Sequence, residues 1–358
     1  MPGTPRRIPP TALAAALLLV ACTSGLPGTG RAPAPLAPLP PAADQASGSA
    51  AAGGGALLAA HAAFTAFSPS NMPIWVALEA GYFREQGLDV ELTQIAGGPT
   101  LLAALRAGEL DFASAGGPHI VLGHLQGLET VIVGASSTSL EGNIFGRPGV
   151  QRVEDLRGKT IAVTRPNSIS DQAARAGLQR VGLQPDVDVA FLASGGYPES
   201  LAALDAGVVD AASLNEPFDF ELRQRGFPEV LNVSELRIPF AVGVIGTSQR
   251  VIAERPDLPR RALRALALAI HRLQTDRELG INILGRYTQI ENREQLGATI
   301  DHSAPFYQAD LYPDPQAVQA VLDAEDQPAA RTTRPEDVTD YRYADELRSS
   351  GFLDQLAQ

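Results

Sequence analysis

The chain reads as an α/β protein in which two lobes, each a wound sheet flanked by helices, share a cleft for a small polar ligand. Two observations predict this. One αβ unit occurs twice, as Gly97-Gly98-Pro99-Thr100-Leu101-Leu102-Ala103-Ala104-Leu105-Arg106-Ala107-Gly108-Glu109-Leu110-Asp111 and as Gly196-Tyr197-Pro198-Glu199-Ser200-Leu201-Ala202-Ala203-Leu204-Asp205-Ala206-Gly207-Val208-Val209-Asp210. The copies lie about ninety-nine residues apart and keep the spacing of leucine, glycine and aspartate. Strand-like and helix-like segments also alternate in a βαβαβ rhythm, which favours mostly parallel sheets. Within each copy, a strand leads through glycine to an Ala/Leu helix, so unpaired N–H groups and the positive helix end form a cradle for a ligand.

The first twenty-one residues form a secretory signal: Arg6 and Arg7, an apolar run from Ala12 to Ala21, then Leu19-Val20-Ala21-Cys22. The run is shorter than the roughly 20 apolar residues a membrane span needs. Leu-Val-Ala-Cys resembles the bacterial lipobox, which implies lipidation of Cys22, the only cysteine, and tethering to the outer face of a bacterial membrane. Residues 22–57 are Pro, Ala, Gly and Ser with few large apolar side chains and read as a disordered tether. The first lobe is expected over 58–150, the second over 151–240, and a return to the first lobe with C-terminal helices over 241–358.

Within the first lobe, Ala63 to Phe67 predicts a strand. Asn71 or Met72 then opens a helix through Trp75, Leu78 and Tyr82, with Pro73 in a first turn that loses nothing by its missing N–H. Val90 to Ile95 is a strand before the first cradle, and Asp111 to Ala113 is the strand after it. A helix follows Gly116-Gly117-Pro118, and Val131 to Gly134 is a further strand. In the second lobe, Ile161 and Val163 mark a strand and Ala174, Leu178 and Val181 a helix. Val187 to Leu192 and Asp210 to Leu214 are strands on either side of the second cradle. Ala241 to Gly246 reads as the strand that returns to the first lobe. Leu263, Leu266, Ile270 and Leu273 fall on one face of a helix starting at Asp257. Later helices are expected from Arg293, Pro315 and Tyr341, covering the first lobe and bracing the hinge.

A formal charge of −12, made more negative by loss of Arg6 and Arg7 with the signal, disfavours nucleic acid as a partner. A single cysteine excludes an intramolecular disulfide framework. Gly158-Lys159-Thr160 ends like a phosphate-binding loop, but Val153 stands where that loop needs glycine. His119 and His124 are not spaced for one helical face, so no metal is expected. The chain has no Gly-x-Ser-x-Gly elbow for nucleophilic catalysis.

Pro73-Ile74-Trp75-Val76-Ala77-Leu78-Glu79-Ala80-Gly81-Tyr82-Phe83, the Gly98-to-Asp111 cradle, Asp155-Leu156-Arg157-Gly158-Lys159-Thr160-Ile161-Ala162-Val163 and Gly207-Val208-Val209-Asp210-Ala211 occur together in register. This combination resembles the SsuA/THI5-like (NMT1) substrate-binding proteins of ABC importers for nitrate, aliphatic sulfonates, taurine and thiamine-precursor pyrimidines, over residues 60 to 275. The resemblance implies a type II periplasmic-binding-protein fold, two α/β lobes with a ligand cleft and hinge crossovers. It implies a monomer that captures a small molecule by hinge closure and presents it to a permease with a cytoplasmic ATPase, without a cofactor.

By position in that pattern, first-lobe ligand contacts are expected from Ser70, Asn71, Gly97, Gly98, Thr100, Ser114, Gly116 and Gly117. Second-lobe contacts are expected from Arg165, Asn167, Ser168, Ser170, Tyr197, Asn215 and Glu216. Ser70, Asn71, Ser168 and Ser170 equally suit helix capping, and Trp75 suits either stacking on a planar ligand or the core. Arg165 favours an anion, whereas Glu216 favours a ligand bearing N–H donors, such as an aminopyrimidine or an amine. Two alternatives accompany this reading. One is a pyrimidine-precursor synthase-like enzyme with pyridoxal phosphate on Lys159, the only lysine; the other is a ligand sensor.

Overall fold

The repeated Leu-x-x-Gly-x-x-Asp spacing serves strand register in both lobes. The computed structural model describes residues 56–356; the signal segment, Cys22 and the tether as far as residue 55 lie outside them. Among these residues the strands are β1 (Leu58–Phe64), β2 (Leu88–Gln94), β3 (Phe112–Ala115), β4 (Thr130–Ser139), β5 (Asn143–Gly146), β6 (Lys159–Val163), β7 (Val189–Ala193), β8 (Ala211–Leu214), β9 (Glu229–Asn232) and β10 (Pro239–Ser248). They form two five-stranded sheets of equivalent order, β2-β1-β3-β10-β4 and β7-β6-β8-β5-β9. In each, the three strands of the repeated unit run parallel and the fourth, β10 or β5, runs antiparallel to both of its neighbours.

Asp111 accepts a hydrogen bond from the His61 N–H at 2.8 Å, while its own N–H donates to the His61 carbonyl at 2.8 Å. Asp210 repeats the arrangement with Thr160, at 3.1 and 2.9 Å. The aspartate therefore pins the start of β3 or β8 to its parallel neighbour. Between the paired strands lie the helices Gly98–Ala107 and Tyr197–Asp205, each with proline in its first turn. Each stops at a glycine with positive φ, Gly108 at 75° and Gly207 at 69°.

The chain crosses between sheets twice, and the two passages hydrogen-bond to each other. The Leu140 N–H donates to Ile238 O at 2.9 Å, the Val233 N–H to Gly142 O at 3.0 Å, and the Gly142 N–H to Ser234 Oγ at 2.9 Å. Gly142 adopts φ 141°, and a Cβ there would sit 2.6 Å from Asn215 Oδ1, so this position takes no side chain. The first crossover lies at residues 140–142. The sequence-based boundary at 150 is thus too late, because Asn143–Gly146 pairs with β8 and β9 in the second sheet.

Leu263, Leu266, Ile270 and Leu273 are all buried along the helix Asp257–Thr275. Burying each leucine or isoleucine contributes about 1.5–3 kcal/mol. This helix covers one face of the first sheet together with Met72–Glu79. Trp75 belongs to that core: it is fully buried and stacks on Tyr287 at 4.5 Å. On the opposite face pack Gly98–Ala107, Gly117–Leu125 and Pro315–Asp323, through Leu101, Leu105, Ile120, Val121, Val318 and Val321. A helix at Arg277–Thr288 joins the C-terminal layer, which the sequence did not mark.

Candidate functional site

The strand order fixes where a ligand can sit. The chain leaves β1 toward the edge strand β2 and leaves β3 in the opposite direction toward β4, so a crevice opens beyond the carboxyl ends of β1 and β3. In the second sheet the equivalent crevice lies beyond β6 and β8. The two crevices share a cavity of about 320 Å³. Lobe one lines it with the loop Thr65–Asn71 after β1 and with Gly116 and His119 after β3. Lobe two contributes Thr164, Ser168 and Ile169 after β6, and Asn215, Glu216, Pro217 and Phe218 after β8. Tyr197, the crossover residues Glu141, Gly142 and Asn143, Val242 of β10, and His302 and Ser303 complete the wall.

Of the residues singled out in the sequence, Ser70, Asn71, Gly116, Ser168, Tyr197, Asn215 and Glu216 come together at this cavity. Gly97, Gly98 and Thr100 do not line it, whereas Tyr197, which stands in the second copy where Gly98 stands in the first, does: glycine has no side chain to reach the space. Gly98 works one layer back: a Cβ there would press on the His119 ring at 2.6 Å. Gly117 is likewise a packing position, since a Cβ would lie 2.4 Å from the Ala241 carbonyl. Gly117→Ala is expected to destabilise the protein by about 1–3 kcal/mol, as overpacking does. An unchanged urea midpoint would show that the backbone yields there.

Ser114 is buried in β3, and Trp75 in the core, away from the wall. Arg165 and Asn167 are exposed outside it. The Ser170 hydroxyl accepts from the Thr164 N–H at 3.0 Å, which turns it inward. Ser168 caps the helix Ile169–Arg180 by accepting from the Asp171 N–H and also lines the cavity. Asn71 is the N-cap residue of Met72–Glu79, and its amide donates to Ala66 O at 2.8 Å, holding the loop after β1.

The wall is rich in acceptors. Asn143 Oδ1 and Asn215 Oδ1 are buried without a hydrogen-bond partner, as is His119 Nδ1, which accepts or donates according to the tautomer of the ring. Burial pushes the His119 pKa down, which keeps its ring neutral. Glu141 receives a hydrogen bond from Ser137 Oγ at 2.9 Å. Burial raises its carboxyl to about 7, against the Ser137 bond and the Arg237 charge, which lower it. No lysine or arginine lines the cavity among the described residues. Arg223 stands behind it, bonded to Glu216 at 2.5 Å, Asp219 at 3.0 Å and Glu229 at 3.1 Å. Asp219 also accepts from Asn143 Nδ2 at 2.8 Å, and burial and the neighbouring Glu216 push its pKa up. Aromatic surface comes from the stacked pair Tyr197 and Phe218, 5.1 Å apart, and from half-exposed Phe67.

Sequence reasoning missed the C-terminal wall. The helix Arg293–Ser303 sends Thr299 Oγ1 to Glu216 at 3.3 Å and Gln295 Nε2 to the Pro217 carbonyl at 2.9 Å. Just beyond it, the Tyr307 hydroxyl donates to Pro69 O at 2.6 Å, so one segment binds loops from both lobes. It also missed Glu141, a lone acid between two strands, because the crossover that holds it is marked only by the four-residue β5.

Lys159 does not fit a pyridoxal phosphate at this cavity. It opens β6, some five residues or roughly 16 Å of strand from the Thr164 end, and pairs there with Asp210 at 3.7 Å.

The sequence profile of the NMT1/THI5-like family matches residues 68–276. A protein of Brucella abortus (strain 2308) named as a binding protein is 25% identical over 222 residues, 60% of this chain and 67% of that one. Among solved structures, the periplasmic aliphatic sulphonate binding protein SsuA of Escherichia coli aligns with a TM-score of 0.64 at 19% identity, covering 80% of this chain and 91% of that one. The periplasmic nitrate-binding protein NrtA of Synechocystis PCC 6803 aligns at 0.65 and 15% identity, covering 82% and 89%. With the profile spanning more than half of its length and the periplasmic-binding-protein fold in place, the chain belongs to the NMT1/THI5-like family.

Proposed function

We propose that this protein is the extracytoplasmic solute-binding component of an ABC importer, and that it captures a small solute presenting N–H donors. The observation that carries the ligand class is the acceptor-lined, lysine- and arginine-free inter-lobe cavity. An oxyanion there would meet the Glu141 carboxyl and would leave the unpaired amide oxygens of Asn143 and Asn215 unmet, with no lysine or arginine in the wall to hold it. SsuA and NrtA bind a sulfonate and nitrate by name, and this chain shares their fold. Lobe boundaries near residues 141 and 238, hinge closure around the solute, delivery to a permease with its ATPase, a monomeric state and a lipid anchor at Cys22 complete the reading. Ser70, Asn71, Gly116, Ser168, Tyr197, Asn215 and Glu216 are its ligand-contact residues.

The test is a thermal-shift screen of the purified protein against amines, amidines, aminopyrimidines, sulfonates and nitrate, since a ligand bound only by the folded state raises Tm. A shift with an N–H-bearing compound that survives Arg165→Ala is the expected result. Shifts confined to sulfonates or nitrate and abolished by Arg165→Ala would overturn the ligand class and restore Arg165 to the site.

A further inference from the structure

Glu141 occupies an unusual position. It sits in the first crossover between Leu140 and Gly142, where the ribbon joining the two sheets passes the cavity wall. Its backbone thus belongs to neither lobe alone, while its side chain lines the space both lobes share. One carboxyl oxygen is held by Ser137 Oγ at 2.9 Å; the other makes no hydrogen bond among the described residues. The same cavity is lined by Asn143 and Asn215, whose Oδ1 atoms are buried and unpaired, and by Tyr197, Phe218 and Phe67. Such a pocket offers a cationic nitrogen one full charge, neutral acceptors and aromatic faces.

We propose that Glu141 is the specificity-determining residue of the cavity: as a carboxylate it pairs with a cationic N–H group of the ligand, and capture of that cation releases the carboxyl's proton to solvent. This deepens the reading above, on which it rests, by choosing cations among N–H-bearing solutes. The balance is simple. A protonated carboxyl and a cation enter, and a carboxylate–cation pair and a free proton result.

Several groups bear on this titration. Arg237, stacked on Phe306 at 4.0 Å, favours the carboxylate from the second crossover. The phenols of Tyr197 and Tyr307 feel the Glu141 charge and are themselves raised above their ordinary range by burial. His119 and His302 line the same wall, both pushed down by burial. Glu216 is paired with Arg223, and Asp219 lies behind Asn143. With the Glu141 carboxyl raised to about 7 in the unliganded cavity, a cation meets mostly the neutral acid below that pH and mostly the carboxylate above it.

The probe is benzamidinium, a flat aromatic cation that stays protonated across the range, with uncharged benzamide as its isostere. Binding to the purified protein is measured by calorimetry from pH 5.5 to 8.5, in two buffers of different ionisation enthalpy so that proton release is counted. Benzamidinium affinity is expected to rise about 30-fold across that range, levelling above pH 7.5, with proton release below pH 7. Glu141→Gln, which retains the shape and the Ser137 bond, is expected to flatten that profile and abolish proton release. Benzamide affinity should remain nearly level in both proteins. A Glu141→Gln variant that keeps the full slope would overturn the proposal and place the titration on Asp219 or the histidines. Benzamide binding as tightly as benzamidinium at pH 8.5 would overturn cation selection while leaving capture of N–H-bearing solutes intact. Failure of every N–H-bearing compound in the thermal screen would instead remove the underlying ligand class.

Discussion

Glu141→Gln is expected to make the unliganded protein more stable at pH 8, by about 3 kcal/mol relative to any difference between the two proteins at pH 4. The carboxyl titrates near 4.5 when solvated and near 7 in the fold. Between those values the native state holds a proton that the unfolded chain gives up. A group whose folded pKa is raised contributes stability that is fully present below 4.5 and is lost as pH climbs through 7. The wild type therefore weakens over that interval, whereas glutamine carries no proton to lose. All other titrating groups are common to both proteins and largely cancel in the difference. Denaturant midpoints at unit pH steps check this. Parallel profiles for the two proteins would mean that Glu141 titrates alike folded and unfolded, and that water reaches it freely.

Arg223→Ala is expected to have the opposite sign and similar or greater size. Its guanidinium binds Glu216 and Asp219, whose side chains are 3% and 0% exposed. Removing one partner of a buried ion pair leaves uncompensated charge and costs about 3–5 kcal/mol. The loss should be largest at pH 8.5 and smaller at pH 5, because protonation of Asp219, whose pKa burial and the neighbouring Glu216 already push up, relieves the stranded charge. Guanidinium chloride unfolding at the two pH values separates charge from packing. Equal losses at both would assign the effect to the contact of Arg223 with the Phe145 ring, 5.5 Å away.

Much of the fold was legible because its periodicities are long. The Leu263-to-Leu273 stripe, the two Ala/Leu helices with their glycine stops and the β-branched runs of β2 and β6 announce themselves within the chain. The strands β5 and β9 span four residues each, too short for a period to show, and missing β5 displaced the crossover from residues 140–142 to 150. The site was read less well for a related reason. A repeat in sequence does not show which copy's side chains reach the shared space, so the duplicated turns drew equal attention to Gly97, Gly98 and Thr100, which stay outside the cavity, and to Tyr197, which lines it. The cavity formed instead where β1 and β3, and β6 and β8, send the chain in opposite directions. Loops with no repeat signature, such as Thr65–Asn71 and Asn215–Phe218, supply much of its wall. Arg165 attracted an anion on paper because it follows a strand, yet its turn points it to solvent.

The paired passages at 140–142 and 233–238 have a mechanical consequence. Two ties laced side by side by hydrogen bonds act like the leaf of a door hinge: stiff against twisting and sideways slip, soft only to flexure across the leaf. Any relative movement of the halves would thereby be channelled into a single swing, with Glu141 on the pin.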